Sequence, residues 1–345
     1  MEISRFGNTH AMLYTLENEA GMKVSVTNYG ALLLQVLVPD RNGNPVDVVL
    51  GFDGPEGYME KDITFGASVG RVANRVAGGH FELNGTGYQM DINNGPNCLH
   101  GGFDKYYRRY WYAEADEDLN SVSFYLNSPD GDQGMPGNAD ICVSYSLDDS
   151  GSLRIDYYAV SDKDTYFNLT NHSYFNLNGA GKGTIEDHLL RLDADRYTEV
   201  GEDLIPTGRL IDVEGTAFDF RTEKPVGRDM YAQEQQLRIC GGYDHNFVIN
   251  RPSLMHPFAR VTGPETGITM EVYTDLPGVQ LYTGNFLGKP DDLPGKSGIV
   301  YPKHGALCLE TQFFPDSPNH PEFPSAFYAA GEEFIYTTVF QFGTV

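Results

Sequence analysis

Apolar and polar residues alternate along much of this chain with the period of two that sends successive side chains to opposite faces of a β-strand. The alternation is clearest at Val122 to Leu126, Ile141 to Leu147, Leu153 to Val160 and Phe334 to Phe342. Asp148-Asp149-Ser150-Gly151 sits between the second and third of these and predicts a hairpin turn. Met22 to Pro39 reads as two strands turning at Asn28-Tyr29-Gly30, and a turn at Asp40 to Gly43 leads into a strand at Val46 to Leu50. Ile268 to Tyr273 and Gly278 to Gly284 read as a strand pair about Asp275-Leu276-Pro277. Lys105 to Trp111, a basic and aromatic run, reads as an edge strand, and Gln233 to Gln236 as a short helix. Residues 170–177, Thr-Asn-His-Ser-Tyr-Phe-Asn-Leu, have the character of a half-buried strand.

Composition agrees with that pattern. The 39 Gly and 19 Pro interrupt helices and punctuate turns, and with 42 Tyr and Phe they predict an all-β chain of many short strands. No low-complexity linker and no internal repeat divides it, so residues 1–345 read as one continuous domain. A net charge of -24 repels phosphate backbones and anionic membrane surfaces, which argues against nucleic acid and membrane partners. The amino end has no basic segment leading into an apolar core, and no run of about 18 apolar residues occurs, so a cytoplasmic protein is expected. Cys98, Cys142, Cys240 and Cys308 lack metal-ligand spacing and read as reduced, mostly buried thiols.

Several places depart from plain strand logic. Phe65 to Phe81 is rich in Gly, Ala and Asn, which suits close backbone approach at a ligand or a tight sheet corner. His100 lies in a glycine-bounded loop that can present an imidazole. His172 stands among hydrogen-bonding and aromatic neighbours, with Tyr174 two positions on, where alternation keeps both on one face. Asn74 and Arg75, Asp244 and Glu310 complete the set; singly, each reads equally well as a surface charge, a turn residue or a solvated strand position.

Together they have an order. Gly70-Arg-Val-Ala-Asn-Arg-Val76, Asn97-Cys-Leu-His-Gly-Gly102, Asn171-His-Ser-Tyr-Phe-Asn-Leu177, Asp244-His-Asn-Phe247, Pro277-Gly-Val-Gln-Leu-Tyr-Thr-Gly-Asn285 and Leu309-Glu-Thr-Gln312 resemble the galactose mutarotases, or aldose 1-epimerases, over nearly the full chain. The resemblance implies a large antiparallel β-sandwich of that type, with few short helices and a sugar cleft across one sheet. It also implies interconversion of the α and β anomers of free aldoses such as galactose and glucose. A base takes the proton of the C1 hydroxyl while an acid protonates the ring oxygen; rotation about C1–C2 and reclosure invert the anomer.

By the resemblance Glu310 is the base, His172 the acid, and His100 a second imidazole orienting the sugar or sharing the acid's work. An imidazole near its ordinary pKa of about 6.5 would suit that donor role. Asn74, Arg75, Tyr174, Asp244 and Gln280 would bind hydroxyls or hold the catalytic groups. This proton chemistry calls for no cofactor and no metal, and a monomer or homodimer is expected. The Tyr106 to Tyr110 segment departs from the family pattern. A hexose-6-phosphate epimerase, with Arg108 and Arg109 holding phosphate, is the near alternative. A non-catalytic sugar-binding module and a glycoside hydrolase using Asp244 and Glu310 are the more distant ones.

Overall fold

A computed structural model describes residues 1–345. Strands dominate it, and the α-helices are two short segments, Pro55–Glu60 and Gln235–Cys240. Three antiparallel sheets carry the architecture. One has five strands in sequence order from Glu2–Arg5 to Pro45–Asp47. The largest has nine, and its centre is formed by Ala139–Leu147, Ser152–Ser161, Glu333–Thr344 and Ile268–Thr274 in that spatial order. The third has five, ordered Pro206–Asp212, Arg196–Val200, Asp244–Val248, Gly278–Tyr282 and Cys308–Gln312.

Alternation does what it predicts in the nine-stranded sheet. Ile141, Val143, Tyr145 and Leu147 are buried while Asp140 and the serines between them face outward, and Leu153, Ile155, Tyr157 and Ala159 repeat the pattern across the hairpin. One hydrophobic core joins that inner face to residues from both other sheets, such as Val24 and Val36 from the first and Phe247, Val279 and Leu309 from the third. Burying such a face is what makes these sheets stable, at roughly 25 cal/mol per Å2 of apolar surface. The all-β expectation holds.

The structure corrects four sequence readings. The expected pair Ile268 to Tyr273 and Gly278 to Gly284 is no hairpin: Ile268–Thr274 lies in the nine-stranded sheet and Gly278–Tyr282 in the five-stranded sheet beside the cleft. The turn residues anchor the crossing. The Asp275 carboxylate accepts the N–H of Thr337 at 2.8 Å, Thr274 Oγ1 donates to the Thr337 carbonyl at 2.8 Å, and Leu276 is fully buried between layers. The expected edge strand at Lys105 to Trp111 is instead a 3-10 turn at Tyr106–Arg108 that buries Tyr106, Tyr107 and Trp111. Arg109 bonds both Asp132 oxygens at 2.7 Å and Trp111 Nε1 donates to the Tyr106 carbonyl, so the run curls inward. The helix begins at Gln235, later than expected, and ends at Cys240 before Gly241 in a left-handed conformation. The strand after Gly43 is only Pro45–Asp47.

The small residues of Phe65 to Phe81 have their reason. A Cβ on Gly66 would stand 1.9 Å from the Leu33 carbonyl oxygen, so only glycine lets these backbones touch. Arg71 in the same stretch is fully buried and has no carboxylate partner. Its guanidinium donates to the carbonyls of Pro136 at 2.7 Å, Gly137 at 3.1 Å and Ser128 at 3.2 Å, and to the Ser128 hydroxyl at 2.5 Å. That bracket fixes the segment from which Asn74 and Arg75 project.

Candidate active site

A cleft of about 620 Å3 opens over the third sheet. Cys308–Gln312 supplies Glu310 to it, Asp244–Val248 supplies Asp244, and Gly278–Tyr282, the strand between those two, supplies Tyr282. Gln280 sits directly opposite Glu310 in register, and its Nε2 donates to Asp244 Oδ1 at 2.7 Å. A second wall comes from Thr170–His172, which pairs with Ala67–Val69 for three residues only. Alternation outlasts the ladder: His172 and Tyr174 both line the cleft, their rings stacked at 5.0 Å and 13°.

His100 and Asn74 brace each other. The His100 N–H donates to the Asn74 carbonyl at 3.0 Å, and the Asn74 N–H donates to His100 Nδ1 at 3.2 Å. Both residues are in the left-handed region, with φ of 53° and 60°, the kind of local strain that collects at functional sites. Because Nδ1 accepts a hydrogen bond, the neutral His100 ring carries its proton on Nε2 and offers a donor. Gly101 follows because a Cβ there would stand 2.6 Å from the Gly70 carbonyl oxygen.

The reactive groups are buried and close. His172 Nε2 lies 3.6 Å from Glu310 Oε1, too long for a good hydrogen bond. Glu310 Oε2 and His172 Nδ1 have no protein partner. Burial pushes the Glu310 carboxyl well above the ordinary range, and the Asp244 charge adds to this while Arg75 opposes it. Burial also lowers His172 to about 3 and holds His100 well below 6.5, where the nearby His172, Lys105 and Arg75 charges reinforce it. Asp244 is raised by burial against the pull of Arg75 and Gln280. The expectation of an imidazole near its ordinary pKa is therefore corrected: burial favours neutral rings and a protonated Glu310 carboxyl.

His100, His172 and Glu310 present ligand-type atoms within 4.8 Å of one another. The tautomer of His100 works against its use as a metal ligand, since coordination through Nε2 would place an N–H on Nδ1 facing the Asn74 N–H.

Seven of the eight expected residues, Asn74, Arg75, His100, His172, Tyr174, Asp244 and Glu310, line this one cleft; Gln280 stands behind Asp244. Arg108 and Arg109 do not line it: Arg108 donates to the Met59 carbonyl, and Arg109 is held by Asp104 and Asp132. The sequence reading missed Tyr282, Lys105, Asp62, Tyr107, Phe286 and Asp203. Tyr282 was within reach, being two residues from Gln280 on an alternating strand. Lys105 meets Asp62 at 2.5 Å across 43 residues of sequence, and nothing local announces that pair.

A family model described as aldose 1-epimerase matches residues 12–341. The chain is 47% identical over 321 residues to a galactose mutarotase of Mus musculus, covering 93% of this chain and 91% of that protein. It is 38% identical over 333 residues to an aldose 1-epimerase of Escherichia coli, covering 96% and 94%. Among solved structures, an aldose epimerase homologue from C. elegans superposes with a TM-score of 0.88 at 33% identity, covering 97% of this chain and 99% of that one. A galactose 1-epimerase from Lactobacillus acidophilus does so with 0.85 at 31% identity, covering 100% and 98%.

Proposed function

The chain belongs to the aldose 1-epimerase family and is an isomerase that interconverts aldose anomers, and from that premise we propose galactose and glucose as its sugars and Glu310 and His172 as the proton-transfer pair. The observation that carries the assignment is the close approach of two buried groups, 3.6 Å apart in the cleft, each with a side-chain atom that no protein group bonds. We further propose that residues 1–345 act as one catalytic domain and that the protein works in the cytoplasm.

The protonation states shape the mechanism. Burial of the pair favours its neutral state, with the shared proton on Glu310. A bound aldose brings hydroxyls that replace lost hydration: its C1 hydroxyl donates to Glu310, and its ring oxygen accepts from His172. The proton passes to His172 Nε2, the ring atom that faces Glu310 at 3.6 Å, giving a carboxylate base beside the C1 hydroxyl and an imidazolium acid beside the ring oxygen. Glu310 then takes the C1 hydroxyl proton as His172 protonates the ring oxygen and the C1–O5 bond breaks. Ring opening returns the pair to the neutral state that burial favours. Rotation about C1–C2 and the reverse transfers close the other anomer. His100 donates from Nε2 to the ring oxygen or a neighbouring hydroxyl. Asn74, Arg75, Tyr174 and Asp244 hold the hydroxyls, Asp244 itself being steadied by Gln280.

Charge favours a free sugar over a sugar phosphate. Asp62, Glu202, Asp203 and Asp244 line the cleft against Arg75, Lys105 and Lys289, and Lys105 is already paired with Asp62. Polarimetry of freshly dissolved α-galactose, α-glucose and glucose 6-phosphate is the test. Acceleration of both free sugars, well beyond that of the phosphate, is expected. Galactose binding without acceleration would replace this reading with a binding module.

A further inference from the structure

We propose that Gln236 is a positioning residue for sugar binding: its single amide holds the cleft's rim loop and, through His245, the backbone of Asp244 in one fixed relation. This rests on the reading of Asp244 as a sugar contact.

The rim loop is Gly201–Ile205, which joins Arg196–Val200 to Pro206–Asp212 and brings Glu202, Asp203 and Leu204 to the cleft. It is a closed unit, with the Gly201 N–H donating to the Ile205 carbonyl at 2.9 Å and the Leu204 N–H to the Gly201 carbonyl at 3.0 Å. Its attachment is weak on one side. Arg196–Val200 pairs with Asp244–Val248 only at Arg196 and Tyr197, and its ladder to Pro206–Asp212 is irregular between Thr198 and Val200.

Gln236, on the short helix, takes the place of the missing strand partner. Its Oε1 accepts the Val200 N–H at 2.9 Å and its Nε2 donates to the Val200 carbonyl at 2.9 Å. The same Oε1 lies 3.2 Å from His245 Nε2, and His245 Nδ1 accepts the Asp244 N–H at 3.2 Å. An acceptor on Nδ1 fixes the proton on Nε2, so the ring donates to Gln236 in one tautomer. His245 is fully buried and lies edge-on to Phe218 and Tyr197 at 4.8 and 5.6 Å, which leaves it one orientation. The rim loop and Asp244 are therefore tied to a common amide that touches neither the sugar nor the reacting atoms.

Such a device acts on binding rather than on proton transfer. Gln236→Met keeps the side chain's bulk and removes all three hydrogen bonds; Gln236→Glu keeps the acceptor for the Val200 N–H and His245 but loses the donor to the Val200 carbonyl. The full chain is assayed for galactose mutarotation, with Asp244→Asn in parallel and thermal unfolding of each variant. The expected result is a KM raised about fivefold or more in Gln236→Met with kcat within about twofold, and part of that loss recovered in Gln236→Glu. An unchanged KM in Gln236→Met, a kcat that falls in step with KM, or a Gln236→Glu variant as impaired as Gln236→Met overturns the proposal. If Gln236→Met does not fold, Gln236→Glu decides alone: a KM raised more than about twofold with kcat within about twofold supports the proposal, and an unchanged KM overturns it. An unchanged KM in Asp244→Asn instead removes the sugar contact on which it rests.

Discussion

Glu310→Gln separates chemistry from folding, because the amide keeps the carboxyl's shape while losing its proton transfer. Loss of a general base costs about 10²- to 10⁴-fold, or about 2.7–5.5 kcal/mol of barrier, and kcat for galactose mutarotation should fall by that amount. Stability should move the other way. Burial and Asp244 raise the folded-state pKa of Glu310 above its unfolded value of about 4.3, so its contribution is fully present below that value and is lost as pH rises through the folded one. Each tenfold gain in the folded carboxyl's proton affinity is worth about 1.4 kcal/mol of that loss. A glutamine does not titrate and avoids it. The variant's Tm, compared with wild type, should therefore be higher at pH 8 than at pH 5. Polarimetry gives the first number and thermal unfolding at the two pH values the second. Turnover within tenfold of wild type would remove Glu310 from the role of base, and a Tm difference independent of pH would refute the electrostatic reasoning.

Two further outcomes follow from the same structure. With His172 lowered to about 3 by burial, that imidazole does not titrate between pH 5 and 7, and with the Glu310 carboxyl pushed up kcat/KM should fall on the alkaline side as Glu310 loses its proton; a loss of kcat/KM on the acid side with its midpoint near pH 6.5 would contradict this. Arg71→Met strips donors from the buried carbonyls of Pro136, Gly137 and Ser128 and should cost about 3–5 kcal/mol in urea unfolding, with a loss of under about 1 kcal/mol counting against the bracket.

Much of this site could be read in the sequence because its strands alternate. His172 and Tyr174, two apart, face one cleft, and the hairpin at Asp148 to Gly151 joins the strands that flank it. Periodicity reports which face a residue takes but not which layer its strand joins, and Asp275 to Pro277 looks the same whether it closes a hairpin or crosses between sheets. Lys105 to Trp111 failed for a related reason. Its arginines and tyrosines suit an exposed edge until Asp132 and Ser128, more than 20 residues on, turn them inward. Protonation states were illegible for the same cause, since burial is a property of the assembled cleft.

The strand Glu333–Thr344 lies in the middle of the largest sheet, between Ser152–Ser161 and Ile268–Thr274, and pairs with both. During synthesis the ribosome releases those two neighbours long before it releases the strand that joins them. Until residues 333–344 are made, each presents a bare row of N–H and C=O groups, the kind of edge that recruits a wrong partner. A ribosome stalled just short of Glu333 would leave a chain with every proposed catalytic group present and its main sheet split in two.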